Sequence, residues 1–306
     1  MRAASDGQPA ERVERAIGNR AARRLQIKAS RLVTSIFAGE YRSAFRGRGM
    51  EFDEVREYQV GDDIRSIDWN VTARHGRPFI KRFVEERELT LILLLDRSPS
   101  MDFGTVRGTK RDAAAEVCAL LAFAALRSRD KLALLSFGDG PPRYLRPAKG
   151  RRQALRLIGD AMAPAAAGKP VAGLAAALDQ LGRVTCGRAL VCILSDFLDP
   201  LPVNLLAAVA ARHDTVAVAI SDPAEHELPA AGLLRLVDPE SGAVHLVDTG
   251  SPRVRQGYRA LAANRLAARK ALLISTGAGF LEVGTQTSPL HPLMQFFLNR
   301  RRGQGS

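Results

Sequence analysis

The most constraining feature of this sequence is an apolar run of strand length that ends in an acid, LTLILLLD at residues 89–96. A strand that is apolar at almost every position must be buried on both faces, as in a parallel sheet covered by helices on both sides. The run ALVCILSDF at residues 189–197 has the same character and carries Ser-Asp near its end. Together the two runs predict the centre of a parallel sheet.

Segments with strand and helix patterns alternate along the rest of this region. Further strands are predicted at 131–137, 214–221 and 279–283, and helices at 110–128, 151–163, 171–182, 202–212, 252–274 and 289–301. Such alternation with right-handed crossovers is typical of a doubly wound α/β fold. In that fold ligands bind outside the carboxyl ends of the strands, which is where the acids of the two apolar runs are expected.

Asp96, Ser98 and Ser100 form a D-x-S-x-S pattern directly after the first apolar run, and Asp196 follows the second. All four carry hard oxygen donors, so a bound ion would be Mg²⁺ or Mn²⁺ rather than zinc. This spacing resembles the metal-ion-dependent adhesion site of von Willebrand factor type A domains. The resemblance implies a doubly wound, mostly parallel sheet of that type, with Mg²⁺ as the expected cofactor.

The sequence departs from that resemblance at one ligand. Domains of this type usually supply a threonine from a loop before the fourth helix, whereas the matching loop here, residues 167–173, has Lys169 and Pro170. Two hypotheses stay open: a functional metal site, or a degenerate site in which the Lys169 ammonium lies near Asp96 and Asp196 in place of the ion.

A second motif precedes the first apolar run, REYQVGDDIRSIDWN at residues 56–70. Its pattern R-x-Y-x-x-G-D-D-x-R-x-I-D-W resembles the bacterial family called domain of unknown function 58, which is described as having a von Willebrand type A-like core. The resemblance covers residues 45–300. The motif is interpreted either as a network of charge-assisted hydrogen bonds that braces short strands and turns or as a partner-binding surface. Its candidate binding residues are Tyr58, Asp62, Arg65, Asp68 and Trp69, with Lys169 added from the loop above.

The family resemblance implies a function as well as a fold. Members are commonly encoded beside MoxR-type AAA+ ATPases and are thought to help them assemble or activate client proteins, so we expect a non-catalytic adaptor and no catalytic residues. The predicted organisation is a basic N-terminal helical segment (1–40), a small β-rich subdomain (41–88) and the α/β domain (89–302). The first two form an N-terminal helical and small β elaboration of the core.

Charge and composition bound the alternatives. The net charge of +13 resides at the two ends, because residues 1–50 carry +7, residues 251–306 carry +8 and the middle carries −2. Basic ends suit an anionic surface, but 6% aromatic residues disfavour base stacking, so nucleic acid is not the expected partner. A metal-dependent hydrolase or nuclease is the other alternative. Three scattered cysteines and no apolar stretch of membrane-spanning length predict a cytoplasmic protein without a membrane segment.

Overall fold

We describe a computed structural model of the chain, which divides into two compact units, residues 46–88 and the remainder. The structure describes residues 23–45, 55–59, 67, 69–81, 89–163, 172–185, 187–237 and 242–303. Cys118 and Cys192 are free and buried in the larger unit. No helix in these ranges is both long and apolar enough to cross a membrane.

The N-terminal helices belong to the larger unit. Residues 23–32 form α1, and α2 (Ser35–Phe45) follows it. Helix α2 therefore crosses residue 40, where the sequence places a domain boundary. The small unit contains β1 (Val55–Glu57), α3 (Trp69–His75) and β2 (Phe79–Lys81), with β1 and β2 paired antiparallel. The helix α3 differs from the strands and turns predicted for this motif.

The remaining elements include the strands and helices predicted for residues 89–302. The strands are β3 (Thr90–Asp96), β4 (Lys131–Phe137), β5 (Arg143–Ala148), β6 (Leu190–Ser195), β7 (Asp214–Ser221), β8 (Leu233–Val237), β9 (Val244–Asp248) and β10 (Gly279–Gly284). The helices are α4 (Lys110–Arg127), α5 (Arg151–Met162), α6 (Leu174–Val184), α7 (Val203–Arg212), α8 (Pro223–His226), α9 (Pro252–Ser275) and α10 (Leu290–Gly303), with a 3-10 turn at Pro99–Asp102.

Six strands form the central sheet in the order β10-β7-β6-β3-β4-β5, and all pairs are parallel except the edge pair β4-β5. The strands β8 and β9 form a separate hairpin. The sheet confirms the predicted fold class, a doubly wound, mostly parallel α/β fold with N-terminal helices. Within the central sheet, β3 comes first in the chain but lies between β4 and β6. The direction in which successive strands are added therefore reverses between β3 and β6, and a ligand-binding crevice is expected there.

The sequence of β3 explains its central position. Residues 91–96 are all buried, since the strand has neighbours on both sides and a core on each face. On one face, α4 is buried around most of its circumference, which is typical of a helix in the middle of a core. This packing fixes where β3 ends and therefore where the loop after Asp96 begins.

Candidate functional site at the carboxyl edge of the sheet

The structure brings the four predicted ion ligands into one buried cluster at the carboxyl edge, the edge of the sheet where the parallel strands end. Ser98 N donates to Asp96 Oδ1 at 2.9 Å, and the Oγ atoms of Ser98 and Ser100 lie 3.1 Å apart. Ser100 Oγ donates to Asp196 Oδ2 at 2.7 Å. The predicted residues are therefore contiguous, and they already bond to one another.

Asp96 is held by its neighbours in the sheet. Its Oδ2 accepts a hydrogen bond of 2.5 Å from Ser195 Oγ, at the end of the adjacent strand β6. Burial raises the pKa of Asp96, while the hydrogen bonds from Ser195 and Ser98 offset part of that rise. The carboxyl group is therefore a structural acceptor that ties the ends of β3 and β6 together.

The chain beyond β6 takes an unusual backbone conformation. Phe197 has φ of 51°, in the left-handed region that bulky side chains rarely adopt. Its N–H donates to Ser195 Oγ at 3.0 Å, and Leu198 N donates to Asp196 Oδ1 at 3.2 Å. Strained backbone held in place by its surroundings is a recurrent property of functional sites.

A residue that the sequence analysis did not select, Lys110, dominates the electrostatics of this cluster. Its buried side chain starts from the first turn of α4. The Nζ atom lies 2.6 Å from Asp196 Oδ2 and 2.5 Å from Glu225 Oε1. The ammonium thus joins the end of β6 to the short helix α8 that follows β7.

The arrangement of these groups does not fit a divalent cation. Mg²⁺ binds carboxylate oxygens at about 2.1 Å. Asp196 Oδ2, however, already accepts hydrogen bonds from Ser100 Oγ and from the Lys110 ammonium. An ion there would face a positive charge inside a buried site. Within the described ranges no group of three or more His, Cys, Asp or Glu side chains is placed to hold a metal. The Mg²⁺ site stays a prediction.

A second buried carboxylate, Asp222, organises the loops beside this cluster. It accepts hydrogen bonds from Thr105 N and Oγ1 at 2.9 and 2.6 Å, from Ala224 N at 3.0 Å and from Thr285 Oγ1 at 2.6 Å. Burial alone would raise the pKa of Asp222, but these hydrogen bonds outweigh it and the pKa is lowered. The loops after β3 and β10 are thereby fixed to the start of α8.

The predicted partner-binding residues are described only in part. Trp69 is the first residue of α3 and is 67% exposed, and Tyr58 is half-buried with its N–H donating to Pro78 O at 2.8 Å. Asp62, Arg65, Asp68 and Lys169 lie outside the described residues. Both interpretations of this motif therefore stay predictions.

Among the described residues, three large apolar side chains are exposed on the loops that follow β3 and β6, and we call them the docking rim: Phe103, Val106 and Leu198. The loops that carry them are ordered by the groups just described. Phe103 O accepts from Lys110 N at 2.8 Å, Leu198 N donates to Asp196, and Val106 follows Thr105, which Asp222 holds. Single exposed apolar side chains are ordinary on a protein surface, so the docking rim is a candidate interaction surface because its loops are anchored, not because it is apolar.

The sequence does contain a signal for the missed residues. Thr109 and Asp112 form a capping box that starts α4 at Lys110. Asp222 and Glu225 repeat this spacing at α8, immediately after β7. Two capped helices that begin at the same sheet edge place Lys110 and Glu225 near the ends of β3 and β6. A lysine at the first helical position opposes the helix dipole, but Arg151 does the same at the start of α5, so this feature alone does not single out Lys110.

The fold and site define a doubly wound α/β protein whose carboxyl edge is built from interlocked carboxylates, hydroxyls and a buried lysine. The chain belongs to the family described as "Protein of unknown function DUF58", whose model matches residues 54–268. It is 36% identical over 290 residues to the uncharacterized protein Rv1480 of Mycobacterium tuberculosis, a match that covers 92% of this chain and 90% of the relative.

Two solved structures are similar in outline. One is the conserved hypothetical protein BatB of Bacteroides thetaiotaomicron, with TM-score 0.46 and 15% identity, covering 70% of this chain and 99% of that one. The other is the SpRpn10 VWA domain, with TM-score 0.37 and 14% identity, covering 67% of this chain and 93% of that one.

Proposed function

We propose that this protein is a non-catalytic adaptor of the cytoplasm whose carboxyl edge binds a MoxR-type AAA+ ATPase, and that the pair assembles or activates client proteins. The observation that carries the proposal is the docking rim on loops anchored by buried charged groups. Membership in the family supports the choice of partner, through the association with MoxR-type ATPases that the resemblance implies. The free, buried cysteines suit a reducing compartment.

The chemistry of the edge supports docking over hydrolysis. The hydroxyls of Ser98 and Ser100 bond to each other, and Ser100 Oγ also donates to Asp196. Asp96 accepts from Ser195 Oγ and from Ser98 N. These groups hold the edge in shape instead of being aimed at a substrate. Charged side chains flank two of the docking-rim residues in the sequence, with Asp102 before Phe103 and Arg107 after Val106, and apolar anchors with charged neighbours suit a protein interface.

The C-terminal arginines also favour this proposal over the alternative in which the basic ends of the chain bind an anionic surface. Arg300 forms an ion pair with Asp214 and lies over the Phe45 ring, 4.9 Å from its centroid. Arg301 forms an ion pair with Glu40 at 2.9 Å. Both side chains are thus engaged within the larger unit.

Binding to a purified MoxR-type ATPase from the same organism tests the proposal. The substitution Leu198→Asp places a charge on the docking rim, and Leu261→Asp is the matched control, because both leucines are 52% exposed and Leu261 lies on α9. We expect wild type and Leu261→Asp to bind alike in the presence of a non-hydrolysable ATP analogue. We expect Leu198→Asp to bind at least about tenfold more weakly, as for loss of an interface anchor.

Two outcomes would contradict the proposal. If wild type binds in neither the ATP-analogue nor the ADP state, the ATPase is not the partner. If both variants bind as well as wild type, or lose affinity equally, the docking rim is not the contact surface. Phosphodiester hydrolysis that requires a divalent ion and disappears in Asp96→Ala would instead favour the hydrolase alternative.

A further inference from the structure

Burying the Lys110 ammonium at this position destabilises the fold unless other groups stabilise its charge. A buried ammonium loses its hydration, which costs several kcal/mol unless partners replace the water. It also lies in the first turn of α4, where the helix dipole disfavours positive charge. The Lys110 side chain is only 1% exposed, so bulk water relieves little of either cost. Compensation must come from the carboxylates around it.

Those carboxylates come from two other parts of the edge. Asp196 follows β6 and is itself buried, while Glu225 belongs to α8 and has a side chain that is 22% exposed. The ammonium contacts both, and the Asp196 oxygen that it contacts also accepts from Ser100, in the loop after β3. One positive charge therefore joins the loops after β3, β6 and β7.

Joining loops through shared carboxylate oxygens is the structural task of a divalent ion at such an edge. We propose that Lys110 is a built-in cation that performs this task, so that the carboxyl edge is assembled without any metal. Lys110 is a positioning residue, since it acts through Asp196 and Glu225 on the loops that carry the docking rim. Removing its charge while keeping its volume leaves Asp196, Glu225 and the serine hydroxyls as an oxygen set suited to Mg²⁺ or Mn²⁺.

Thermal unfolding of the full chain with and without divalent ions tests this inference and does not depend on any partner. Lys110→Met keeps the unbranched apolar stem of the side chain but removes the terminal ammonium group and its charge. Lys131→Met is the matched control, because Lys131 is an exposed lysine at the first residue of β4, the opposite end of that strand from the carboxyl edge. Each protein is melted in chelator and in millimolar MgCl₂ or MnCl₂.

We expect the melting temperature of wild type, and likewise that of Lys131→Met, to be the same with either ion as in chelator. We expect Lys110→Met to melt lower than wild type in chelator and to gain about 3–8 °C when the ion is near 100-fold above its Kd. Mn²⁺ binding to Lys110→Met, measured by calorimetry, should be lost when Asp196→Asn is added.

A rise in the melting temperature of wild type with either ion would overturn the proposal, since the lysine and a metal would then coexist. A folded Lys110→Met with no response to either ion would overturn it as well. If Lys110→Met does not fold in chelator, it is refolded in millimolar MnCl₂ with all of its carboxylates kept. Recovery of the folded protein with the ion supports the proposal, and failure to fold in either solution overturns it.

Discussion

At the scale of single residues, Asp222 shows how one carboxylate can fix several loops. Its two oxygens accept four hydrogen bonds, from Thr105, Ala224 and Thr285. Because these bonds favour the ionised form, the pKa of Asp222 is lower in the folded protein than in the unfolded chain. Its contribution to stability is therefore fully present above the unfolded pKa of about 3.9 and is lost as the pH falls through the folded pKa.

We predict that Asp222→Asn lowers the free energy of unfolding by about 2–3 kcal/mol near neutral pH, since the amide nitrogen must face donors and leaves a buried group unsatisfied. The measurement is urea denaturation of wild type and variant at about pH 7 and about pH 3.5. The difference between the two proteins should shrink at the lower pH. An unchanged difference would mean that the charge of Asp222 does not stabilise the fold.

The residues of the edge also show what a sequence can and cannot predict. The D-x-S-x-S pattern led to Asp96, Ser98 and Ser100 because their positions follow from where one buried strand ends. Lys110 was missed because its partners are distant in the sequence, 86 residues away at Asp196 and 115 away at Glu225. Its role depends on the direction of a side chain at a helix start, which no local pattern specifies.

At the scale of elements, the end of β4 supports the loop after β3 from the side. Gly138 has φ of 93°, and a Cβ atom there would lie 2.5 Å from Ser98 N and 2.8 Å from Asp96 Oδ1. The backbone of β4 also accepts from the loop, since Arg97 N donates to Phe137 O at 2.7 Å. The loop that carries Ser98 can take its position only because residue 138 has no side chain.

Comparing alanine substitutions at Gly138 and Gly150 separates the effect of this crowding from the effect of backbone strain. Gly150 has φ of 90°, and no atom of the described residues around it lies within 4 Å of the point where a Cβ would stand. Gly150→Ala should therefore cost only the strain of the left-handed region, about 1 kcal/mol. We predict that Gly138→Ala costs roughly 1–3 kcal/mol more, as for overpacking. Urea denaturation of both variants measures the difference, and equal losses would show that the loop moves aside freely.

The elements themselves were predicted unequally well. The five parallel strands were located within a few residues because continuous apolar runs bounded by polar turns have few alternatives. Helix α3 was missed because the residues before it alternate like a strand and Val71 and Thr72 are β-branched. The short helix α8 was also missed, since its four residues are too few for an apolar period and its sequence signals are confined to a capping box and a proline at its start.

At the scale of the whole molecule, the N-terminal helix α2 is part of the larger unit through an aromatic cluster with α10. The Phe297 ring lies 5.6 Å from Phe37, 5.9 Å from Tyr41 and 5.4 Å from Phe45, measured between ring centroids. All four side chains are buried. Sequence periodicity predicted both helices, but only the fold shows that segments more than 240 residues apart share one core.

This packing predicts that α2 owes its stability to α10. Phe297→Ala removes the ring at the centre of the cluster and should cost about 3–5 kcal/mol. The loss of stability should be localised in α2, so its amides should exchange with solvent much faster than in wild type. The amides of β3 and β6 should exchange faster only in proportion to the lower global stability. Hydrogen exchange followed by mass spectrometry on peptides from 35–45 and 90–96 resolves the two effects.

The adjacent Phe296 provides the control, since it is only partly buried and its ring packs toward Gly279 in β10. Phe296→Ala should leave the exchange of α2 close to that of wild type. Faster exchange of α2 in both variants would mean that α10 as a whole, and not the Phe297 ring, holds the helix. Unchanged exchange in Phe297→Ala would contradict the prediction, because α2 would then be held by its other contacts, such as the ion pair of Glu40 with Arg301 and its packing against α4.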